Sequence, residues 1–151
     1  MENQLPVRAN SPAEILKDFT CIINQQVQWG DMDAAQHVNN TVYLRYFESA
    51  RIAFFEQIGF MDFSGDEGVG PILAEAHCKY KAPLTYPDAI KITARILPET
   101  ITDYGFVMQH IVFSEKLQRV AAEGTSTIVC YDYKTKRKAL IPSELRLKLL
   151  P

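Results

Sequence analysis

The sequence predicts an α+β fold in which an antiparallel sheet packs against one long helix. Two observations predict this class. Apolar residues recur every three or four positions over one long segment, and they alternate with polar residues over the segments on either side of it. A sheet with one apolar face is stabilised when a helix covers that face. The 151 residues suffice for one domain, which buries roughly 70% of the surface that its unfolded chain exposes.

Charge and composition argue against two classes of protein. Lys and Arg number 16, Asp and Glu number 18, and the net charge is −2. Domains that bind duplex nucleic acid normally carry a strong basic excess. An apolar content of 47% is far above that of a disordered chain. We therefore expect a globular domain with no nucleic-acid partner.

A short helix is predicted near the start of the sequence. Ser11-Pro12-Ala13-Glu14 has the pattern of a capping box with proline at the first helical position. This helix is expected to end near Phe19, and residues 1–10 are expected to form a loose polar arm. We accordingly divide the chain into an arm with a short helix, residues 1–19, and a single domain, residues 20–151.

The first strand is predicted at residues 21–29, and a polar loop, Gly30–Asn40, follows it. The residues expected on the buried face of this strand are Cys21, Ile23, Val27 and Trp29. Those expected on the opposite face are Asn24, Gln26 and Gln28.

The long helix is predicted at residues 41–58, with a length of about 27 Å at 1.5 Å per residue. Asn39 or Asn40 is expected to act as its N-cap, and Gly59 suits the position after its last turn. The helix carries a wide aromatic stripe, which is typical of a helix that packs against a sheet. The stripe comprises Tyr43, Phe47, Ala50, Phe54 and Ile58.

Four strands are predicted after the helix and a glycine-rich loop at 59–70. Ser114-Glu115-Lys116 indicates a hairpin, Gly124 indicates a bulge or a close backbone approach, and Pro142 introduces a short C-terminal helix at 143–149. A sheet of five strands has outer edges, and a homodimer that pairs edges would cover one. The four strands are expected at about 72–81, 90–96, 104–114 and 117–132.

The cysteine pattern argues against a disulfide framework and against a zinc site. Cys21, Cys78 and Cys130 are more than fifty residues apart, and no CxxC pair occurs. Each lies in an alternating apolar run, so we expect three buried, reduced thiols of an intracellular protein. The first eleven residues lack the apolar segment of a secretory signal, and no apolar run is long enough to span a membrane. These features predict a cytoplasmic location.

The loop Gly30–Asn40 concentrates the residues that could carry chemistry. Asp31 and Asp33 are two positions apart, His37 follows, and the loop leads into the N-terminus of the long helix. Unpaired N–H groups there suit a developing oxyanion, and a nearby carboxylate can attack a substrate or orient a water. The alternative is that these residues only form a turn and a helix cap. Two carboxylates are too few for a typical metal site.

The segment Val27-Gln-Trp-Gly-Asp-Met-Asp-Ala-Ala-Gln-His-Val-Asn-Asn-Thr-Val-Tyr-Leu-Arg-Tyr-Phe-Glu-Ser-Ala-Arg51 resembles the signature of hotdog-fold acyl thioesterases. It is similar to the 4-hydroxybenzoyl-CoA thioesterase-like group, in a D-x-D-x-x-x-H-V-N-N variant shared with acyl-ACP thioesterases. Further similarity includes Tyr80-Lys81-Ala82-Pro83, Tyr86-Pro87-Asp88 and Ile141-Pro142. The resemblance implies a curved antiparallel sheet wrapped around one central helix. It also implies homodimers joined at sheet edges, tetramers in many members, an active site at the dimer interface, and no cofactor or metal.

The resemblance also implies roles for individual residues. Asp33 matches the catalytic aspartate, as nucleophile or as general base. His37 matches a histidine that assists the aspartate in the acyl-ACP branch, and a packing role at the helix entry is the alternative. Asn39 and Asn40 match a paired asparagine, which we interpret as fixing the loop and capping the helix.

The start of the long helix supplies the other expected contacts with substrate. Backbone N–H groups from Asn40 to Val42 are the candidates for an oxyanion hole. Thr41, Val42 and Tyr43 are expected to contact substrate with the two asparagines. Tyr46, Phe47 and Phe54 are among the side chains expected to set the depth of an acyl tunnel.

The function implied is an acyl-CoA thioesterase that forms a carboxylic acid and coenzyme A. Two alternatives stay open: an acyl-ACP thioesterase, and a non-catalytic acyl-thioester binding module. Ala35 motivates the second, because the acyl-ACP branch has a catalytic asparagine at that position. The basic run Lys134–Lys138 could meet the phosphates of coenzyme A or form a solvated hairpin. His77 and His110 are expected to be structural, and Glu48 and Arg51 to form an ordinary helix-surface pair.

Overall fold

A single antiparallel sheet curves around one long helix in this protein, as a computed structural model of residues 11–61 and 68–149 describes it. The strand order is β1-β3-β4-β5-β2, and a two-residue β6 also pairs with β5. This architecture confirms the predicted α+β hotdog fold. The elements are α1 (Pro12–Leu16), β1 (Cys21–Gln26), α2 (Asn40–Ile58), β2 (Val69–Tyr80), β3 (Ala89–Ile96), β4 (Gly105–Ser114), β5 (Arg119–Asp132), β6 (Arg137–Lys138) and α3 (Ser143–Leu149).

The helix α2 is fixed at both ends by the residues predicted to do so. The side chain of Asn39 caps its N-terminus, and Gly59 ends it in the left-handed conformation at φ 72°. The apolar stripe packs against the inner face of the sheet, where Tyr46, Phe47 and Phe55 are almost fully buried. The first turn of α2 therefore has a defined position over the sheet.

The sheet contains one very close contact, at Gly124 of β5. A Cβ atom added there would lie 2.1 Å from the carbonyl oxygen of His77 and 2.6 Å from Cε2 of Phe47. The predicted close approach at this residue is confirmed. The register shifts occur elsewhere, between Leu73 and Glu75 in β2 and between Val112 and Phe113 in β4.

The strand β2 lies at an edge of the sheet. It pairs with β5 along its length, from Val69 opposite Asp132 to Tyr80 opposite Ala122. Among the described residues, no strand pairs with its other side. Most of its side chains are exposed, including the apolar Ile72 and Leu73.

Both short helices pack on the body of the sheet. The Ser11 side chain accepts a hydrogen bond from the N–H of Glu14, which confirms the predicted cap of α1. Leu16 and Phe19 pack on β4 in a small second cluster of buried residues. The α3 helix matches the predicted bounds 143–149, and Leu145 and Leu149 join the main core.

Several sequence predictions need correction. The strand predicted at 21–29 ends at Gln26, and Trp29 lies in a 3-10 turn with its side chain 72% exposed. The alternation of apolar and polar residues continues in the sequence to Trp29. The pairing of β1 with β3, however, ends at the pair Gln26 and Ala89. The α1 helix ends at Leu16, three residues earlier than expected.

The two other corrections concern Cys78 and β6. Cys78 is only half-buried because it lies on the edge strand β2, whereas Cys21 and Cys130 are buried as predicted. The short strand β6 was not predicted, because two residues carry no periodic signal. The predicted arm at 1–10 and the middle of the loop at 59–70 lie outside the described residues. The helices of the described ranges include none that is long and apolar enough to cross a membrane.

Candidate active site

The segment before α2 is a tight hairpin closed by its own backbone. Met32 and Val38 form an isolated bridge. Inside it, the N–H of Asp33 donates to the carbonyl of His37, and the N–H of Gln36 donates to the carbonyl of Asp33, both at 2.9 Å. Gln36 adopts φ 62° to complete the turn. The hairpin thus gives the Asp33 side chain a defined position.

Two further hydrogen bonds tie this hairpin to the rest of the domain. The N–H of Asn39 donates to the carbonyl of Asp31, and the N–H of Val38 donates to the carbonyl of Leu84, both at 2.9 Å. The Tyr43 hydroxyl accepts a longer bond, 3.4 Å, from the N–H of Leu84. The segment after β2 therefore holds both the hairpin and the start of α2.

Asp33 combines a turn role with an exposed carboxylate. One carboxylate oxygen, Oδ1, accepts a hydrogen bond of 2.9 Å from the N–H of Ala35, which is the turn interaction that the sequence left open. Its other oxygen, Oδ2, has no hydrogen-bond partner within the described part of the chain. The side chain is exposed. One oxygen is thus anchored, and the other can act on a ligand.

Two cavities meet at Asp33. The first, called here the Tyr80 cavity, has a volume of about 400 Å³ and is also lined by His37, Asn40, Tyr43, Tyr80 and Lys81. The second, called here the Trp29 cleft, has a volume of about 570 Å³ and is also lined by Trp29, Met32, Gln36, Thr85 and Tyr86. A ligand that extends in two directions from Asp33 therefore has space on both sides.

The N–H groups at the start of α2 are not equally available. The N–H of Thr41 donates to Asn39 Oδ1 at 2.9 Å, and the N–H of Val42 donates to the Asn39 carbonyl at 3.0 Å. The N–H of Asn40 has no acceptor among the described residues, and Asn40 lines the Tyr80 cavity. Of the three candidate oxyanion donors, Asn40 is the one whose N–H is free.

The predicted substrate contacts separate into two groups. Asp33, His37, Asn40 and Tyr43 line the Tyr80 cavity together. The side chains of Asn39, Thr41 and Val42 do not: Asn39 caps α2, the Thr41 hydroxyl donates to Asn39 Oδ1 at 2.7 Å, and Val42 packs in the core. The His37 and Asp33 side chains share no hydrogen bond in the described structure.

Two tyrosines form the wall of the Tyr80 cavity. Their rings meet edge to face at 5.0 Å, and the Tyr80 hydroxyl donates to the Asn40 carbonyl at 2.9 Å. Burial raises the pKa of Tyr43, although the hydrogen bond with Leu84 opposes it, and burial also raises the pKa of Tyr80. Both phenols stay protonated at neutral pH and join the start of α2 to β2.

Sequence reasoning missed the part played by Tyr80, Trp29 and Tyr86. In the sequence, Tyr80 is only one of the alternating residues of a predicted strand. The folded path of β2 is what brings it to the start of α2. The basic run Lys134–Lys138 is distant from Asp33, because the β2–β5 register puts Asp132 and Tyr80 at opposite ends of the pair of strands. The described residues contain no group of three or more His, Cys, Asp or Glu placed to hold a metal ion.

Comparison of the sequence with known families gives a match over most of the chain. The sequence model described as the Thioesterase-like superfamily matches residues 27–149. A relative from Aquifex aeolicus (strain VF5), provisionally named an esterase, is 34% identical over 97 residues. These are 64% of this chain and 74% of the relative. The long-chain acyl-CoA thioesterase FadM of Escherichia coli (strain K12) is 26% identical over 118 residues, 78% of this chain and 88% of FadM.

Solved structures show the same architecture. The gentisyl-coenzyme A thioesterase BH1999 superposes on this chain with a TM-score of 0.73 and 28% identity. The superposition covers 85% of this chain and 98% of that protein. The similarity therefore extends over most of both chains.

Proposed function

The chain belongs to the thioesterase-like superfamily, and on that premise we propose that it hydrolyses acyl-CoA thioesters to a carboxylic acid and coenzyme A. Relatives with thioesterase names support the reaction class. The observation that carries the proposal is the position of Asp33. Asp33 lines both cavities, and one of them is also lined by Asn40, the first residue of α2.

The arrangement suits the attack of an oxygen on a thioester carbonyl. The acyl part enters the Tyr80 cavity, the pantetheine arm lies in the Trp29 cleft, and the carbonyl carbon lies near Asp33. The carbonyl oxygen accepts a hydrogen bond from the N–H of Asn40, and the positive end of the helix dipole stabilises its developing charge.

Asp33 begins the reaction as nucleophile or as general base. In the first case it forms a mixed anhydride, which water then hydrolyses; in the second it removes a proton from the attacking water. In both cases the C–S bond breaks, and coenzyme A leaves as a thiolate that takes up a proton. His37, which lines the same cavity, assists by positioning the water.

The test is the release of free thiol from a panel of acyl-CoAs by the purified protein. Replacing Asp33→Asn keeps the shape of the side chain and removes its charge, so kcat is expected to fall by about 10²-fold or more. Asp31→Asn is the matched control, because Asp31 belongs to the same loop but lines neither cavity. Wild-type turnover by the Asp33→Asn variant would contradict the proposal.

The same assay distinguishes a non-catalytic binding module. Ala35 motivates this second candidate, since its methyl side chain offers no polar group to the site. A binding module takes up acyl-CoA in a saturable manner without releasing thiol. Rapid hydrolysis by the wild-type protein excludes it, and turnover of acyl-ACP but not of acyl-CoA would identify the carrier as a protein.

We further propose a homodimer, and a tetramer as a dimer of dimers. The long free side of β2 supports this assembly, because unpaired strand edges in natural proteins are usually covered. Sedimentation equilibrium tests it, and a monomer at assay concentration would contradict it.

The unpaired thiols support a cytoplasmic location, which fractionation of the source cells tests.

A further inference from the structure

A third cavity lies farther along α2, and it contains a buried cation. This Arg51 cavity has a volume of about 230 Å³ and lies between α2 and the strands β2 and β5. Its walls include Leu44, Phe47 and Leu73, so most of its surface is apolar. Arg51 lines it and is only 7% exposed. A guanidinium group held in such surroundings is costly unless its donors are paired.

A chain of hydrogen bonds fixes the position of this guanidinium. Arg51 Nη1 donates to Ser126 Oγ at 2.9 Å. His110 Nε2 lies 2.9 Å from the same oxygen, and His110 Nδ1 lies 3.0 Å from the carbonyl of Thr93. A carbonyl only accepts, so Nδ1 carries the proton and the Ser126 hydroxyl donates to Nε2. The ring of Phe47 stacks on His110 at 5.0 Å.

The donors of Arg51 are not all used. Its only other charged contact within the described structure is Glu48, whose Oε2 lies 3.9 Å from Nη2. This distance is too long for a hydrogen bond. Glu48 also lines the cavity. The cavity therefore presents free N–H donors of Arg51 beside a carboxylate that can accept.

The Arg51 cavity is aligned with the proposed reaction site. Asn40, Phe47 and Arg51 lie on one face of α2, and the last two are about 10–16 Å beyond Asn40 at 1.5 Å per residue. On the facing strand, Ala76 of the Arg51 cavity is about 13 Å from Tyr80 at 3.3 Å per residue. Both cavities thus lie between the same two elements, one after the other.

We propose that the Arg51 cavity binds the distal part of the acyl group and that Arg51 with Glu48 selects acyl groups that carry a hydroxyl there. This inference rests on the proposed thioesterase function. A hydroxyl oxygen accepts from the guanidinium and its proton is donated to the exposed Glu48, so the free donors of the buried Arg51 are paired. A methyl end leaves the donors of Arg51 unpaired, and a carboxylate end meets the like charge of Glu48 as well as the opposite charge of Arg51.

The experiment compares kcat/KM for decanoyl-CoA, ω-hydroxydecanoyl-CoA and ω-carboxynonanoyl-CoA. The wild type is expected to prefer the hydroxylated substrate over decanoyl-CoA by about 10-fold or more, because a site that hydrogen-bonds a hydroxyl discriminates against the analogue without it. Arg51→Met is expected to abolish or reverse this preference. Arg119→Met, an exposed arginine outside the cavities described, is expected to keep the preference.

Ser126→Ala supplies a second variant that does not remove the charge. It releases Arg51 from its anchor, so the preference is expected to fall while the protein remains folded by circular dichroism. Turnover without a preference in the wild type, an unchanged preference in both variants, or a preference for the carboxylate would each overturn this inference alone. Absence of turnover with all three substrates would overturn the proposed function and this inference with it.

Discussion

His110 makes the stability of this fold depend on pH. The side chain is fully buried between β3, β5 and the ring of Phe47. Burial lowers its pKa to about 4; the hydrogen bond to the Thr93 carbonyl opposes this shift, and the charge of Arg51 adds to it. In the unfolded chain the same imidazole titrates near 6.5. Protonation therefore favours the unfolded chain.

The sign and size of the effect follow from these two pKa values. Below pH 6.5 His110 binds a proton in the unfolded chain but not in the folded chain. The free energy of unfolding therefore falls as the pH falls. For pKa values of 6.5 and about 4, the loss between pH 7 and pH 5 is about 2 kcal/mol, and it approaches about 3.4 kcal/mol below pH 4. Above pH 7 this group contributes no further change.

Urea unfolding followed by circular dichroism measures this loss. The wild type and His110→Gln are compared at pH 5, 7 and 9 and at one protein concentration, because the proposed assembly would make stability depend on concentration. The difference between the two proteins is expected to shrink by about 2 kcal/mol from pH 7 to pH 5. It is expected to stay constant from pH 7 to pH 9, which serves as an internal control. An equal loss in both proteins between pH 7 and pH 5 would refute the reasoning.

Three further substitutions test the packing and the cap. Tyr46→Phe removes a buried hydroxyl that has no partner among the described residues, so thermal melting is expected to show equal or higher stability, by up to about 1 kcal/mol; a clear loss would indicate a hidden partner. Gly124→Ala places a methyl 2.1 Å from a carbonyl oxygen, so urea unfolding is expected to show a loss near the upper end of about 1–3 kcal/mol. Gly30→Ala is its control, because a Cβ atom added at Gly30 would have no other atom within 4 Å. Equal losses of stability in the two variants would show that the close contact at Gly124 is not the cause. Asn39→Ala removes the cap of α2, so a loss of about 1 kcal/mol is expected in the same assay; unchanged stability would show that the cap is dispensable.

The parts of the fold that the sequence predicted are those encoded by local patterns. The bounds of α2 follow from its apolar period and from the cap residues Asn39 and Gly59, all within one segment. The face of Trp29 could not be predicted in this way. Its position continued the alternation of β1, but the end of pairing depends on β3, where Ala89 faces Gln26 from far along the chain.

The candidate site likewise contains residues that local sequence patterns located and residues that only the fold brings together. Asp33, His37 and Asn40 are close in sequence, so the motif located them. The contribution of Tyr80 depends on the path of β2, and the burial of Arg51 depends on Ser126 of β5. The helix-surface pair expected for Glu48 and Arg51 is present only at 3.9 Å, because the arginine turns inward to a strand that helix periodicity does not reveal.

The free side of β2 also affects the tendency of the protein to aggregate. Along this side its peptide groups pair with no strand among the described residues, and such a row is a template for any extended chain. The apolar Ile72 and Leu73 lie on the same strand. In the proposed homodimer this edge is covered, so a protomer separated from its partner offers a nucleus for aggregation. Mutations that weaken assembly are expected to reduce the soluble yield before they reduce the activity of the protein that stays in solution.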